Sequence, residues 1–443
     1  ATCSIGLKGF TWKLLIAPAV AMRATLAIAS SLAVAAVARA PPFHWQKAET
    51  ARWMASTLDW GFLSTISTRS DASSVGDAFG NPYAFADASS GVPYFYASML
   101  DASMIDLFVA NGSKPRASFT LSEAALKDPG FIFRQYCKIG TFLGDPENPP
   151  CARLVLSGNV VKLEANTTDE KKAKEALFSR HPSFKQYPPS HDFFVAKMEV
   201  DGVWLIDFYG GATIIPPQDY MAVKLSSSAL KSTSTMVPGT PRMAHGPPPP
   251  YAQKAATARW MVQSLDWGVL STVSTRSAGT RVGDAFGNPN SFVDGGSGVP
   301  YFYVSDMDAS MIDAFTAKDA SPRVSLALSE AELTGTKEAR PDCVIGATPF
   351  GDPENPPCAR LVLSGELSRV KAGSDEEEAA KSALFARHTS FKKYPDDHHF
   401  YVAKLNVDGI WLIDFYGGAA IISPKDYFAA NSTSAPFESI IQV

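Results

Sequence analysis

The sequence predicts two consecutive domains of mainly β structure, each an antiparallel β-barrel with a few short helices. Three observations lead to this prediction. The chain repeats itself along nearly its whole length. Within each repeat, most apolar segments are short and several alternate with small polar residues, which is typical of half-buried strands. The 443 residues, 46% of them hydrophobic, also suffice for two domains with full cores.

The internal repeat spans whole domains. Residues 51–54 (ARWM) recur at 258–261, an offset of 207 positions, and residues 145–158 are identical to residues 352–365. This period is several times longer than that of a stacked solenoid repeat, so the sequence indicates a duplicated domain. The predicted parts are a leader (1–40), a first domain (44–224), a linker rich in Ser, Thr and Pro (225–251), a second domain (252–430) and a tail (431–443).

The elements of the first repeat follow from its local patterns. A helix is predicted at residues 51–58, an alternating strand at 62–68, and a long loop rich in Gly, Asn, Pro and Ser from residue 69 to residue 91. Further strands are predicted at 92–98, 117–122 and 152–161, and helices at 102–108 and 170–178, the second capped by Thr167 or Thr168. The Asp201-Gly202 pair predicts a hairpin turn between strands at 193–199 and 203–208.

The leader has the pattern of a secretory signal peptide. The pair Met22-Arg23 precedes small apolar residues at 24–37, and Ala-Arg-Ala at 38–40 supplies a cleavage pattern of small residues. The alternatives are a membrane anchor over residues 14–37 and an organelle-targeting leader. After residue 41 no apolar stretch is long enough to cross a bilayer, so no membrane span is expected in the mature chain.

Glycosylation triplets and cysteine spacing agree with secretion. The triplets begin at Asn111, Asn166 and Asn431. The cysteines fall in two closely spaced pairs, Cys137 with Cys151 and Cys343 with Cys358. In an oxidising compartment each pair is expected to close a loop of about 15 residues, which stabilises the fold by roughly 3 kcal/mol. The alternative is four unpaired, buried thiols.

Charge and motif content argue against several functional classes. Forty basic and 44 acidic side chains give a net charge of −4, so generic binding of nucleic acid is not expected. The sequence has no CxxC pair, HExxH, GxSxG or Gly-rich nucleotide motif. A metal-like cluster at residues 396–399 (DDHH) is not repeated in the first domain. Neither catalytic residues nor a metal site are therefore predicted.

Several motifs, taken in order, resemble the CREG family of secreted cellular-repressor glycoproteins. They are DWG at 59–61, SGVPYFY at 90–96, LSG at 156–158, LFSRHP at 177–182 and WLIDFYGG at 204–211, and they recur in the second domain, LFSRHP in the form LFARHT at 384–389. Familiar members have one such domain, so this chain resembles a tandem CREG. The resemblance implies a split β-barrel of the FMN-binding, pyridoxamine-phosphate-oxidase-like superfamily, whose members usually dimerise with flavin sites in clefts between the barrels.

The resemblance also implies a function. In CREG proteins an inserted loop is described as filling the flavin cleft, and residues 70–90 and 277–297 lie at that position. The expectation is a secreted or lysosomal, non-enzymatic glycoprotein without cofactor. Its two barrels would form an intramolecular pseudo-dimer that binds a receptor or another extracellular protein. The alternative is an FMN-dependent oxidoreductase with flavin between the barrels.

If flavin binds, its phosphate needs several basic or hydroxyl donors that converge at one point. The candidate donors are Thr65, Ser67, Thr68, Arg69 and Arg116 in the first domain and Thr272, Ser274, Thr275, Arg276 and Arg323 in the second. The candidates to pack on the flavin ring are Tyr94, Tyr96, Tyr301 and Tyr303. The alternative is that these are ordinary strand hydroxyls, surface arginines and core tyrosines.

The Arg-His pairs that end at His181 and His388 follow the predicted helix of each domain. Basic side chains at this place commonly satisfy the last carbonyl groups of a helix, which is the role we predict. A pH-sensing role for the two histidines is the alternative.

Overall fold

The computed structural model describes residues 41–109, 115–126, 136–141, 143–225, 246–316, 322–336 and 339–430. The predicted leader, most of the linker, the tail, Asn111 and Asn431 lie outside the described residues.

The first half of the chain forms one antiparallel sheet. Its strands are β1 (Trp60–Ile66), β2 (Ala78–Ala84), β3 (Tyr94–Ala97), β4 (Arg116–Ser122), β5 (Arg153–Lys162), β6 (Phe194–Ile206) and β7 (Thr213–Ile214). They pair in the order β2-β1-β4-β5-β6-β3, with β7 beside β6. A bridge between Ala86 and Tyr94 joins the two edges, so the sheet curls into a split barrel. The helices are α1 (Lys47–Thr57), α2 (Ala102–Phe108), α3 (Thr168–Arg180) and α4 (Pro217–Ala222).

The second half repeats this order and confirms the predicted fold class of two tandem split β-barrels. Its strands are β8 (Trp267–Val273), β9 (Ala285–Ser291), β10 (Tyr301–Val304), β11 (Arg323–Ser329), β12 (Arg360–Arg369), β13 (Tyr401–Ile413) and β14 (Ala420–Ile422). Its helices are α5 (Lys254–Ser264), α6 (Ala309–Thr316), α7 (Asp375–Arg387) and α8 (Pro424–Ala429). Among the described residues, no helix combines the length and apolarity that a membrane crossing requires.

The two faces of the central strands have different partners. Alternate residues of β4, such as Phe119 and Leu121, point into the core of their own barrel. The intervening Ser118 and Thr120 are also buried, because they face the other barrel and bond to the backbone of Gly287. The alternating pattern was expected to mark half-buried strands; in this structure both faces are covered.

The prediction of one long loop between residues 69 and 91 is wrong for the middle of this segment. Residues 78–84 (AFGNPYA) form β2, which pairs with β1 over its full length. Pro82 is compatible with this strand because β2 lies at the edge of its sheet, where a missing amide hydrogen costs no ladder bond.

The hairpin predicted at Asp201-Gly202 is also wrong. Strand β6 runs through this pair without turning, and a register shift opposite Ser157 and Gly158 leaves Asp201 as a bulged residue. A side chain at Gly202 would collide with the backbone oxygen of Gly279 in the second barrel. The glycine therefore permits a close approach between the barrels.

Both predicted disulfides are present. Cys137 is bonded to Cys151 and Cys343 to Cys358. The helix cap is confirmed too, since the Thr167 hydroxyl accepts a hydrogen bond from the Glu170 amide.

Candidate functional site: the groove between the two barrels

The two barrels share a small apolar core of their own. Trp60 and Phe62 of β1 pack on Trp267 of β8, with the two indole rings 6.2 Å apart. Phe79 of β2 lies edge-on against Trp411 of β13. The cleft between the barrels is thus lined by buried aromatic side chains from both halves.

Strands β2 and β9 lie between the barrels and fill this cleft. The Gly80 amide donates to the Ser325 hydroxyl, and the Gly287 amide donates to the Ser118 hydroxyl, each over 3.2 Å. A Cβ atom at Gly80 would lie 2.7 Å from the Ser271 hydroxyl oxygen. The inserted strands therefore fit so closely that a side chain at Gly80 would force the Ser271 hydroxyl to move.

Most of the candidate donors in the first barrel converge on one carboxylate. The hydroxyls of Thr65 and Thr68 donate to Asp106 over 3.1 and 3.2 Å, and the Thr68 amide donates over 2.9 Å. The Arg69 guanidinium binds both Asp106 oxygens, over 3.0 and 3.2 Å. Ser67 bonds instead to Ser73 and to the backbone of Arg69. The donors thus meet at one anionic group, as a phosphate site requires, but that group is the chain's own Asp106.

The second barrel repeats this arrangement around Asp313. The hydroxyls of Thr272 and Thr275 donate to it over 3.3 and 3.1 Å, and Arg276 binds both of its oxygens. Ser274 again stays apart and donates to the backbone of Arg276. Asp106 and Asp313 are almost completely buried, so each is a charged group stabilised by its donors.

The other candidates lie elsewhere. Arg116 bridges Asp201 of its own barrel and Asp284 of the second, and Arg323 bridges Asp408 and Asp77 in the reciprocal way. Both arginines therefore join the barrels.

The four candidate tyrosines do not face the threonines and arginines. Tyr94 and Tyr301 donate to Asp169 and Glu376, at the starts of α3 and α7. Tyr96 and Tyr303 lie in aromatic clusters that include Phe178 and Phe385 of the same helices. The sequence prediction thus combined residues from three separate places.

The donor set does not fit a flavin phosphate as it stands. Thr65, Thr68 and Arg69 are engaged by Asp106, and a phosphate at that point would lie against a buried carboxylate of the same charge sign. Above the guanidinium of Arg69 lies the ring of Phe79, 4.4 Å away, so β2 closes this pocket from the side of the cleft.

A second set of buried contacts was missed by the sequence analysis. The His181 ring places Nδ1 2.7 Å from Asp352 of the second barrel and Nε2 2.9 Å from the Phe85 carbonyl oxygen. His388 makes the reciprocal contacts, with Asp145 and the Phe292 carbonyl oxygen. The predicted capping role is therefore wrong for the histidine side chains, which join the barrels.

The neighbouring arginine does satisfy helix carbonyls, but those of another helix. Arg180 ends α3, and its guanidinium binds the carbonyl oxygens of Ser56 and Leu58, at the end of α1. The signal for the histidine contacts was the segment DPENPPC, identical in both halves, which carries Asp145 and Asp352.

Asn166, the one predicted glycosylation site within the described residues, is exposed and immediately precedes the cap of α3. Its modification stays a prediction. Across all the residues that the structure describes, no three His, Cys, Asp or Glu side chains are arranged to hold a metal ion.

The chain contains two split barrels, and each barrel places one strand, β2 or β9, against the other. It is therefore a tandem split-barrel protein. The family model described as CREG, beta-barrel matches residues 42–222 and 249–429. The chain therefore belongs to the CREG family and contains the family's domain twice.

Individual relatives match one domain's length of this chain. Protein CREG1 of Gallus gallus is 37% identical over 192 residues, which cover 42% of this chain and 91% of the relative. Protein CREG1 of Homo sapiens is 36% identical over 187 residues, 41% of this chain and 76% of that protein. Among solved structures, a heme binding protein from Mycobacterium smegmatis has a TM-score of 0.31 and 23% identity, over 42% of this chain and 62% of that one.

Proposed function

We propose that this CREG-family chain is a secreted or lysosomal glycoprotein that acts by binding rather than by catalysis, with its two barrels paired as an intramolecular pseudo-dimer. The pairing is supported by reciprocal contacts from both halves: the Arg116 and Arg323 bridges and the two His–Asp pairs. A receptor or another extracellular protein is the proposed partner.

One observation carries the non-enzymatic part of the proposal. The hydroxyl and guanidinium donors that would hold a flavin phosphate are bonded to Asp106 in one barrel and to Asp313 in the other. Because β2 and β9 also lie in the cleft, neither the phosphate nor the ring of FMN has a prepared place there. We therefore propose that the protein works without cofactor.

Two further observations support a route through the secretory pathway. Disulfides such as Cys137–Cys151 and Cys343–Cys358 persist mainly in oxidising compartments. Asn166 is exposed, as a glycan acceptor must be, and its counterpart in the second half is Gly373. Glycans on this chain would therefore differ between the two barrels.

Flavin content tests the proposal directly. The chain, purified from a eukaryotic secretory host, is expected to show no flavin absorbance and no spectral change when FMN is added. Flavin near one equivalent per barrel would favour the alternative, an FMN-dependent oxidoreductase.

Two companion measurements examine the other parts of the proposal. Small-angle scattering at low concentration should give one compact particle, whereas two independently moving lobes would contradict the pseudo-dimer. Uptake of the secreted protein by cells, measured before and after enzymatic removal of glycans, shows whether the glycans contribute to partner binding.

A further inference from the structure

Acidic side chains are concentrated where the two barrels meet. Each disulfide-closed loop carries an Asp-Pro-Glu-Asn segment into the opposite barrel. In the first loop, Asp145 accepts a hydrogen bond from the Ser291 hydroxyl and Glu147 accepts one from the Ser291 amide. In the second loop, Glu354 accepts a hydrogen bond from the Ala84 amide, over 2.9 Å. We refer to these two segments, residues 145–148 and 352–355, as the acidic loops.

Around Glu147 the carboxylates outnumber the cations. Asp145 lies on its own loop, and Asp308 faces it from the start of α6. Arg153 of β5 also faces it, and so does Tyr394, which follows α7. The imidazole of His388 lies beyond, bonded to Asp145. The buried Glu147 and Asp145 and the partly exposed Asp308 thus share one guanidinium and one imidazole, and such a group is most stable when it retains a proton.

The cluster around Glu354 has the same carboxyl groups, guanidinium and imidazole, with one tyrosine more. The carboxyl groups of Asp352 and Asp101 and the guanidinium of Arg360 face Glu354. Its other titratable neighbours are Tyr83, Tyr187 and, through Asp352, His181.

Both glutamates therefore favour the neutral form in the folded protein. Burial raises the pKa of Glu147 to about 8, the charge of Asp308 adds to this effect, and Arg153 opposes it. Burial likewise raises the pKa of Glu354 well above its usual range, with Asp101 and Asp352 adding to the effect and Arg360 opposing it. An unfolded chain would release both protons near a pH of about 4.3.

We propose that the two acidic loops act as a proton-dependent clamp, which holds the barrels together more firmly in acidic than in alkaline surroundings. The sign follows from proton linkage. Between the unfolded and the folded pKa the folded protein binds more protons than the unfolded chain, so its stability increases as the pH falls from about 8 towards about 5. This inference does not depend on what the protein binds.

The test uses the full chain with its disulfides intact. Urea unfolding at pH 8 and pH 5 is expected to show a folding equilibrium constant larger at pH 5 by at least about 400-fold, the change that the pKa of Glu147 alone implies, with Glu354 adding to it. The double variant Glu147→Gln, Glu354→Gln keeps an acceptor oxygen for the amides of Ser291 and Ala84 but cannot ionise. It should be more stable than the natural chain at pH 8 and should lose most of the pH difference.

A matched control and a local measurement complete the test. Glu175→Gln removes the same charge from the exposed side of α3 and should leave the pH difference unchanged. Hydrogen-exchange protection of the Ala84 and Ser291 amides, corrected for intrinsic rates, should be greater at pH 5 than at pH 8.

Either of two results would overturn the proposal. The first is equal or lower protection of the Ala84 and Ser291 amides at pH 5, whatever the global stability does. This measurement needs only the natural chain, so it decides the matter even if the double variant does not fold. The second is a folded double variant that keeps the full pH difference of the natural chain.

Discussion

In the first barrel, Tyr83 and Asn81 both donate to Asp101 at the start of α2, and Tyr83 is packed edge-on against Phe95. At the equivalent place in the second barrel, Asn290 stands where the tyrosine would be. It is fully buried, and its two polar side-chain atoms have no hydrogen-bond partner among the described residues. The core at this position, Tyr83 in one copy and Asn290 in the other, has thus diverged between the two copies.

The surfaces that face each other have kept most of their polar contacts. Asp106 and Asp313 each gather two threonines and an arginine. Most polar contacts between the described parts of the two barrels, such as Arg116 with Asp284, have a reciprocal one. The exceptions are contacts of Thr120, Arg281 and Ser291, whose counterparts are Ala327, Ser74 and Ala84. The reciprocal ion pairs and histidine contacts between the barrels therefore constrain both copies, whereas single positions inside a barrel and between the barrels have changed in one copy.

The largest effect is expected from removing the carboxylate of Asp106. Asp106→Ala would leave the buried Thr65 and the partly buried Thr68 and Arg69 without their shared acceptor, so we expect the free energy of unfolding to fall by about 3–5 kcal/mol. Urea unfolding measures this. Asp71→Ala removes the exposed partner of Arg69 and should cost at most about 1 kcal/mol. Asp313→Ala should match Asp106→Ala, and a much smaller loss would show that the two clusters are not equivalent.

Removing a disulfide should cost somewhat less. Replacing both Cys137 and Cys151 by Ala is expected to lower the free energy of unfolding by about 3 kcal/mol, and the Cys343–Cys358 pair should behave alike. The copies should differ in their reaction with a mild reductant. Cys137 is partly exposed, whereas Cys343 is fully buried, so the first disulfide should be reduced sooner. Pulsed alkylation with mass spectrometry would record the order, and reversed or simultaneous reduction would contradict it.

A smaller effect is expected where the backbones of the barrels approach each other. Gly202→Ala places a methyl group against the Gly279 carbonyl oxygen, and Gly409→Ala places one against that of Ala72. Each is expected to cost about 1–3 kcal/mol because the neighbouring loop must move. Unfolding in urea, together with hydrogen exchange of β2 and β9, would separate a local opening from a global loss. An unchanged stability for either variant would contradict the close approach.

The smallest effects should have opposite signs in the two barrels. Tyr83→Phe removes a hydrogen bond to the partly exposed Asp101 and is expected to destabilise the protein by about 1–2 kcal/mol. Asn290→Leu replaces an unsatisfied amide by an apolar group of similar size and is expected to stabilise it by about 1 kcal/mol. Thermal unfolding of the two variants side by side is the measurement. Destabilisation by both would show that Asn290 has an undetected partner.

The parts of the fold that local sequence could predict are those whose neighbours belong to the same barrel. The helix at Ala102–Phe108, the strand at Arg116–Ser122 and the cap at Thr167 follow from periodicity and capping within a few residues. Strand β2 and the straight course of β6 could not be predicted in this way. Gly80 and Gly202 have the composition of turns, but the requirement for glycine comes from atoms of the other barrel.

The candidate site was predicted to a similar extent. The sequence grouped Thr65, Thr68 and Arg69 as candidate donors to a flavin phosphate, and the structure brings these three together at Asp106. The sequence did not identify Asp106 as their acceptor, although it is an acidic residue within an otherwise largely apolar helix. The tyrosines were misplaced because β3, which carries Tyr94 and Tyr96, pairs with β6 at the opposite edge of the sheet from β2.

Because both barrels lie on one polypeptide, a substitution at the interface between them changes only one of the two barrels. In a symmetric pair of identical subunits every change would be made twice, on both sides of the twofold axis. Here one side can accept a new residue while the other retains the old one, and dilution does not separate them. The covalent connection therefore offers a route by which two faces that began alike acquire separate specificities.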